Sequence, residues 1–293
     1  MDVSDSATAP RWLRAVRHPL GRLPIQFAGV FIGLFAVQLV LGPLMARGGT
    51  AGLAARAAGT AGAVVVACAA YAALVRLIER RRASELSLRS APAELALGVA
   101  LGAALFGLVI GTLWLLGFYR VLGFGGWSAA AGALAGSVVA GAVEEILFRG
   151  VVFRNLEALV GTWLALAASA AIFGLLHILN PHSSPWAAAA VAVEAGILLG
   201  AGFVLTRRLW FVMGIHFAWN FTQGGIFAVA VSGGRASGLL TSTLTGPMLI
   251  SGGEFGAEAS VFAVGICLAA GIILARRAHA MGRFVRPRWK RGP

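Results

Sequence analysis

The chain has 293 residues, of which 59% are hydrophobic and only 12% are charged. Soluble domains contain about 25% charged and about 45–50% apolar residues, so this composition argues against a soluble enzyme, a disordered protein and a secreted disulfide scaffold. The formal net charge is +13, from 24 Lys and Arg against 11 Asp and Glu. In so apolar a chain, the positions of the basic residues must be known before the net charge is assigned to a function.

Apolar stretches long enough to cross a bilayer recur along the whole chain. A bilayer core about 30 Å thick requires roughly 20 apolar residues of helix. Eight stretches qualify, at about 25–45, 58–78, 94–117, 128–150, 161–179, 186–206, 209–230 and 258–277. The sequence therefore predicts an all-α fold, a polytopic membrane helix bundle with about eight transmembrane helices.

The predicted bundle divides into five parts in chain order. They are a basic cytoplasmic N-terminal tail (1–24), the N-terminal transmembrane helices (25–117), a transmembrane core with the candidate site (118–230), a flexible external loop (231–257), and the last transmembrane helix with a basic cytoplasmic tail (258–293). The loop is assigned as flexible because it is rich in Gly, Ser and Thr.

The basic residues are concentrated on one side of this eight-span arrangement. Twenty of the 24 precede the first span, lie in the connections after spans two, four and six, or follow the last span. The other four are Arg47, Arg56, Arg120 and Arg235. The positive-inside rule then places both termini in the cytoplasm. We expect an integral protein of a prokaryotic-type cell membrane, with membrane lipid as a partner and no nucleic-acid partner.

Ionisable side chains are costly inside a membrane, and here they cluster in the second half of the chain. The polar residues within spans four to seven are Glu144, Glu145, Arg149, His177, Glu194, His216 and Asn220. Glu145 and Arg149 are four residues apart with the acid first, the favourable order for a helical ion pair. Glu144 is rotated about 100° from Glu145, so one carboxylate can be structural while the other faces a cavity.

Helical geometry predicts which of these side chains lie at the same depth. The turn predicted at residues 160–161 is 16 residues from Glu144 and 16 from His177. An antiparallel hairpin therefore places both roughly 24 Å from the turn. His216 is only 8 residues past Arg208, or about 12 Å along its helix. A tilt, a deeper turn or a re-entrant connection is needed to bring His216 level with the others.

A carboxylate and two imidazoles on three helices can bind and deprotonate water. Alternatively Glu144, His177 and His216 hold zinc or another divalent metal as three protein ligands with an open water position. The sequence does not decide between a metal and a metal-free mechanism. The sequence contains no H-E-x-x-H helix, no G-x-S-x-G turn and no Cys beside His. Activated water, rather than a covalent intermediate, is the mechanism that these residue types favour.

Three segments resemble the motifs of a known family of membrane proteins. Residues 144–150 (EEILFRG) resemble its EExxxR motif, residues 173–177 (FGLLH) its FxxxH motif, and residues 216–220 (HFAWN) its HxxxN motif. They occur in the family's order, within about half of the chain. The family is CPBP, the CAAX-protease and bacteriocin-processing proteins, also called Abi.

This resemblance implies an intramembrane metalloendopeptidase that hydrolyses a peptide bond in a membrane-associated substrate, either a prenylated CAAX-type protein or a peptide precursor. It implies that Glu144 activates water with assistance from His177, and that His216 and Asn220 stabilise the oxyanion. Glu145 and Arg149 would then be a supporting pair that acts within the catalytic set. Both a metal-dependent and a metal-free, glutamate-dependent mechanism are compatible with it.

Two other function classes are compatible with the same residues. One is a non-catalytic membrane scaffold or bacteriocin-immunity factor of the same fold. The other is a transporter with a Glu/His proton relay, although the polar residues cluster in one half without an inverted repeat. The sequence leaves open the substrate, the oligomeric state and the role of Glu194, which either lines the cavity or faces a histidine. Cys68 and Cys267 are predicted to be unpaired thiols within helices.

Overall fold

The computed structural model describes residues 10–47 and 49–290. The first half contains α1 (Arg11–Arg17), α2 (Pro19–Met45), α3 (Gly49–Glu79), α4 (Ala91–Leu115), β1 (Tyr119–Phe124) and α5 (Trp127–Val139). The second half contains α6 (Arg154–Leu176), α7 (Pro185–Val191), α8 (Leu198–Thr206), α9 (Leu209–Asn220), β2 (Leu240–Leu244), α10 (Met248–Ser251) and α11 (Val261–Ala280). The predicted all-α membrane bundle is confirmed, with a two-stranded antiparallel sheet added.

Wider helical turns join several of these helices. Stretches of π-helix occupy Ala140–Glu144, Ile146–Phe153, Ala192–Ile197 and Phe221–Ile226, so that α5 runs into α6, α7 runs into α8, and α9 is extended. Short 3₁₀ turns cover Ser84–Leu86, His177–Leu179, Gly253–Phe255, Ala257–Ala259 and Arg288–Lys290. Such π-helical stretches are rare and occur frequently at functional sites. Here they coincide with the helices that carry the candidate residues.

The predicted count of eight spans is not confirmed. Among the described residues, six helical segments are long and apolar enough to cross a membrane: Pro19–Met45, Ala51–Glu79, Ala91–Leu115, Trp127–Leu179, Pro185–Thr206 and Val261–Ala280. The fourth segment has 53 residues and combines two predicted spans. The predicted span at 209–230 is shorter than expected, because α9 has 12 residues before its π-helical extension.

Gly161 divides the 53-residue segment into an antiparallel hairpin. Its φ of 77° and ψ of 171° are not helical, and they suit glycine because a side chain at this φ is strained. A Cβ here would also lie 2.7 Å from the backbone nitrogen of Pro287. Phe148 and Phe173, at similar distances on either side of Gly161, pack edge to face with ring centroids 4.6 Å apart. The turn predicted at 160–161 is therefore present.

One end of the bundle is held by arginine–glutamate pairs. Arg154 contacts Glu79 at 2.5 Å and Glu85 at 2.9 Å, and Arg207 contacts Glu157 at 2.5 Å. The segments that meet here are 10–22, 76–90, 154–162, 206–209 and 281–290, and we call this the arginine-rich end. The basic segments that the sequence placed on one side of the bundle thus come together in space.

The opposite end, formed by segments 116–127, 180–185 and 227–259, contains more secondary structure than the sequence predicted. The expected flexible loop (231–257) instead contains β2, α10 and 3₁₀ turns. β2 pairs with β1, the Gly233 N–H donates to the Phe255 carbonyl at 2.8 Å, and the Phe255 side chain is buried. Glycine and serine here provide tight turns and backbone contacts, so this segment contains regular structure that its composition did not predict.

The predicted terminal tails are also partly folded. Residues 11–17 form α1 and residues 19–24 begin α2, with His18 between them, and Gln26 of α2 donates to Glu79 at 2.7 Å. Residues 1–9 and 291–293 of the predicted tails lie outside the described part of the chain. Near the C-terminus, the Val285 N–H donates to the Thr162 hydroxyl at 2.8 Å, which seats residues 281–290 against the hairpin turn. Cys68 and Cys267 are free thiols, as predicted.

Two glycines of α4 allow α9 to approach closely enough to enter the core. A Cβ on Gly98 would lie 2.1 Å from the Phe211 carbonyl oxygen, and a Cβ on Gly102 would lie 2.3 Å from that of Ile215. Small residues let helix backbones approach each other in membranes. Because His216 follows Ile215 directly, this contact also sets the position of the histidine.

We expect Gly102→Ala to destabilise the fold by about 1–3 kcal/mol, the usual cost of overpacking, because the new methyl group meets backbone atoms of α9. Gly107→Ala is the matched control on the same helix, since nothing lies within 4 Å of its Cβ position. That variant should be neutral or stabilising by about 0.5–1 kcal/mol. Equilibrium unfolding of both variants in one detergent measures the difference. Equal stabilities would contradict the packing described here.

Candidate active site

Glu145 and Arg149 form the predicted ion pair in the core. The Arg149 Nη1 donates to Glu145 Oε1 at 2.8 Å, and their side chains are 4% and 0% exposed. The Arg149 Nη2 donates to the Ala195 carbonyl at 2.6 Å, and its guanidinium lies 5.1 Å from the Phe173 ring centroid. Arg149 thus links the hairpin to the π-helical stretch that contains Ala195. A buried charge requires such partners. Both contacts of the Glu145 carboxylate use Oε1, and its Oε2 is buried without a hydrogen-bond partner among the described residues.

His216 is held by the same carboxylate. Its Nδ1–H donates to Glu145 Oε1 at 2.9 Å, and its Nε2 lies 4.0 Å from Glu144 Oε2. A carboxylate that accepts from one ring nitrogen fixes the orientation of the ring and leaves the other nitrogen for the site. Glu145 therefore orients His216, and the other ring nitrogen of His216 faces Glu144.

His216 lies at the same depth in the bundle as Glu144 and Glu145 because the hairpin turn at Gly161 lies deeper than the turn before α9. A deeper turn was one of the alternatives that the sequence left open. The Arg207–Glu157 pair sets the start of α9 level with Glu157, four residues before Gly161. The hairpin therefore extends further toward the arginine-rich end than the connection before α9. The π-helical stretch Ile146–Phe153 also holds more residues per turn and so advances less per residue. Both effects bring His216 level with the glutamates.

Glu144 and His177 line one cavity, which we call the outer cavity. It has a volume of about 360 Å³, and Asn220 also lines it. The Glu144 side chain is 36% exposed, so its carboxylate is accessible, unlike that of Glu145. His177 Nδ1 lies 2.8 Å from the Phe173 carbonyl, which can only accept, so Nδ1–H is the donor in this contact and Nε2 is the nitrogen left for the cavity. The predicted level placement of Glu144 and His177 is confirmed.

A smaller inner cavity of about 30 Å³ lies behind the histidines, a volume that suits about two water molecules. Its lining includes His177, His216, Asn220, Glu194, Ser232, Glu258 and Cys267. Glu194 thus lines a cavity, and its Oε2 is buried without a hydrogen-bond partner among the described residues. Burial raises the pKa of Glu258 to about 7, although the Ser232 N–H that donates to its carboxylate acts in the opposite direction.

Ser232 and Glu258 are site-lining residues that sequence reasoning missed. Both flank or belong to the segment that was expected to be a flexible loop. Ser232 has a φ of 47°, an uncommon conformation for a residue with a side chain, and it lines both cavities. The sequence feature that could have indicated them is Glu258, because a carboxylate at the edge of an apolar run is costly without a partner.

The predicted metal ligands do not assemble into a metal site. Among the residues that the structure describes, no three His, Cys, Asp or Glu side chains are grouped so as to hold a metal ion. Glu144 and His216 approach each other at 4.0 Å, but His177 does not complete a three-ligand cluster with them.

The comparisons with known proteins agree with the three motifs. The family model described as "Type II CAAX prenyl endopeptidase Rce1-like" matches residues 126–222, about a third of the chain. This range contains all three motifs and the residues that meet in the site. No curated protein and no solved structure matches the chain. The match and the motifs within it support membership of the CPBP/CAAX-protease family, and residues 126–222 are the part of the chain that is similar to it.

Proposed function

We propose that the protein is an intramembrane endopeptidase that hydrolyses a peptide bond with water activated by Glu144. The single observation that carries this proposal is the meeting of Glu144 and His216 at 4.0 Å beside a cavity that Glu144, His177 and Asn220 line. An accessible carboxylate next to a buried, oriented pair is the arrangement expected of a general base with its support.

The reaction uses these side chains in sequence. Glu144 takes a proton from water, helped by the His177 Nε2 lone pair, and the water oxygen bonds to the peptide carbonyl carbon. Protonated His216 and the Asn220 amide donate to the resulting oxyanion, as hydrogen-bond donors in such sites do. The carbon–nitrogen bond then breaks, and the proton on Glu144 passes to the leaving amine. Glu145 stabilises the charge on His216 through its hydrogen bond at 2.9 Å.

An apolar groove beside the site supports a substrate with a hydrocarbon anchor. The groove has a volume of about 530 Å³ and lies between α2, α3 and α5. Phe31, Phe35 and Ala63 are among its lining residues, and its Gly136 also lines the outer cavity. A hydrocarbon chain in this groove would hold the attached peptide near Glu144. We therefore propose a membrane-associated, lipid-modified peptide as the substrate class.

The test is cleavage of a farnesylated C-terminal peptide by the purified chain in liposomes, followed by mass spectrometry. We expect cleavage, and we expect Ala63→Phe to raise KM for this peptide about tenfold, equivalent to about 1.4 kcal/mol of lost apolar contact. Ala69→Phe on the same helix is the control, since Ala69 is exposed and does not line the groove. The unlipidated peptide should be insensitive to either substitution.

Absence of cleavage of every peptide offered, together with a phenotype that survives loss of Glu144, would support a non-catalytic scaffold instead. Cleavage with equal KM in both variants would support the endopeptidase activity but contradict binding of the substrate's hydrocarbon chain in the groove. The metal requirement stays a prediction, although Glu144, His177 and His216 are not grouped as a ligand set among the described residues. Elemental analysis of the purified protein, beside a chelator titration of the cleavage rate, measures that requirement.

A further inference from the structure

The outer cavity is reached from the end of the bundle opposite the arginine-rich end. Segments 132–140 and 231–237 form much of its wall, and both belong to the half of the bundle nearest that end. Arg235 and Ser237, on the second of these segments, are exposed. A path therefore leads from this surface to the Glu144 carboxylate.

Between the outer cavity and the arginine-rich end, the described residues form a packed layer. Every residue from 145 to 153 is buried. Phe148 packs edge to face on Phe173 at 4.6 Å, and Phe153 packs edge to face on Phe203 at 5.8 Å. Beyond this layer lie the arginine–glutamate pairs of the arginine-rich end. Such a core has the density of a solid, so a peptide cannot pass through it to the catalytic carboxylate.

The charge distribution relates these two ends to the membrane. Sixteen of the 24 basic residues belong to the segments of the arginine-rich end, and Arg291 directly follows the last of these segments in the sequence. Cytoplasmic connections carry the excess of Lys and Arg in membrane proteins. The arginine-rich end is therefore the cytoplasmic one, and the mouth of the outer cavity faces the other way.

We propose that the catalytic cavity takes its peptide from the extracytoplasmic side of the membrane. The proposal rests on the proposed function for the identity of the cavity as catalytic. It names a substrate class more narrowly than the family match does: a peptide segment exposed outside the cytoplasm, rather than the tail of a cytosolic protein. The polar wall of the cavity, with Asn180, Ser232 and Arg235, suits a peptide backbone that carries an acidic group.

Cysteine accessibility tests this proposal without an activity measurement. In a full-length Cys68→Ser/Cys267→Ala background, three single cysteines are introduced. Ala140→Cys lies in the cavity wall four residues from Glu144, Ser237→Cys lies at the exposed end of the wall, and Leu88→Cys lies at the arginine-rich end. Each variant is treated with a membrane-impermeant, sulphonated methanethiosulfonate in sealed right-side-out and inside-out vesicles.

We expect Ala140→Cys and Ser237→Cys to react at least tenfold faster in right-side-out vesicles, and Leu88→Cys at least tenfold faster in inside-out vesicles. Faster reaction of Ala140→Cys in inside-out vesicles, or no reaction from either side, overturns the proposal. If Ala140→Cys does not fold, Ser237→Cys and Leu88→Cys still determine which end faces outward. Reversed labelling of that pair also overturns extracytoplasmic access.

A second experiment distinguishes failure of extracytoplasmic access from failure of the proposed endopeptidase function. An impermeant peptide that the detergent-solubilised protein cleaves is added outside both vesicle types. Cleavage confined to right-side-out vesicles supports extracytoplasmic access, and cleavage confined to inside-out vesicles overturns it. Failure of the solubilised wild-type protein to cleave any peptide counts against the endopeptidase itself, while the labelling result continues to report the direction of the cavity.

Discussion

Glu144→Gln should lower kcat for peptide cleavage by about 10²–10⁴-fold, the usual contribution of a general base, because an amide cannot accept the proton of water. The fold should tolerate the change. The Glu144 side chain is 36% exposed, and its closest ionic contact is the 4.0 Å approach to His216. Cleavage kinetics in liposomes, beside the thermal unfolding midpoint of the same preparation, measure both quantities.

Glu254→Gln is the matched control for this experiment. Its side chain is 83% exposed and contacts His182 at the same end of the bundle, away from the cavities that contain Glu144 and Glu194. The control should cleave like the wild type. Full activity in Glu144→Gln would show that another group activates water, and an equal loss in both variants would indicate a general effect of charge.

Arg149→Met should destabilise the protein by about 3–5 kcal/mol, the typical cost of removing one partner of a buried ion pair. The loss leaves the fully buried carboxylate of Glu145 with only His216 as a partner, and it leaves the Ala195 carbonyl without its guanidinium donor. Equilibrium unfolding in one detergent measures the change. We also expect lower activity at temperatures where the variant is folded, because the orientation of His216 depends on Glu145.

Two further variants separate the ion pair from other effects of the substitution. Arg120→Met removes an exposed arginine from β1 and should leave stability within about 0.5 kcal/mol of the wild type. Glu145→Gln combined with Arg149→Met removes the unpaired charge and should recover part of the loss. Stability of Arg149→Met equal to that of Arg120→Met would contradict the assignment of a buried supporting pair.

Local spacing was sufficient to predict part of the site. The distance of four residues between Glu145 and Arg149 predicts a helical pair, and equal distances from a turn predict that Glu144 and His177 lie level. Both features depend only on helix geometry. The relation of His216 to the glutamates could not be predicted in the same way. It depends on the π-helical stretch Ile146–Phe153 and on the offset between two turns, which a uniform helix does not represent.

The loop at 231–257 shows a different limit of sequence reasoning. Its Gly, Ser and Thr content predicts flexibility when each residue is considered by itself. In the structure, β2 pairs with β1 more than a hundred residues earlier, and Ser232 is held by the carboxylate of Glu258. Contacts between positions so distant in sequence leave no periodic signal, so composition alone could not predict them.

By itself, the sequence determined that the chain is a polytopic helical membrane protein and which polar residues are costly enough to require a function. Hydrophobic length and the energetic penalty for charge in a bilayer depend on composition and order alone. Only the tertiary structure decided that Glu194 and Glu258 share an inner cavity, and that the outer cavity opens away from the arginine-rich end. Cavities are bounded by several helices at once, so their shape depends on how those helices pack together.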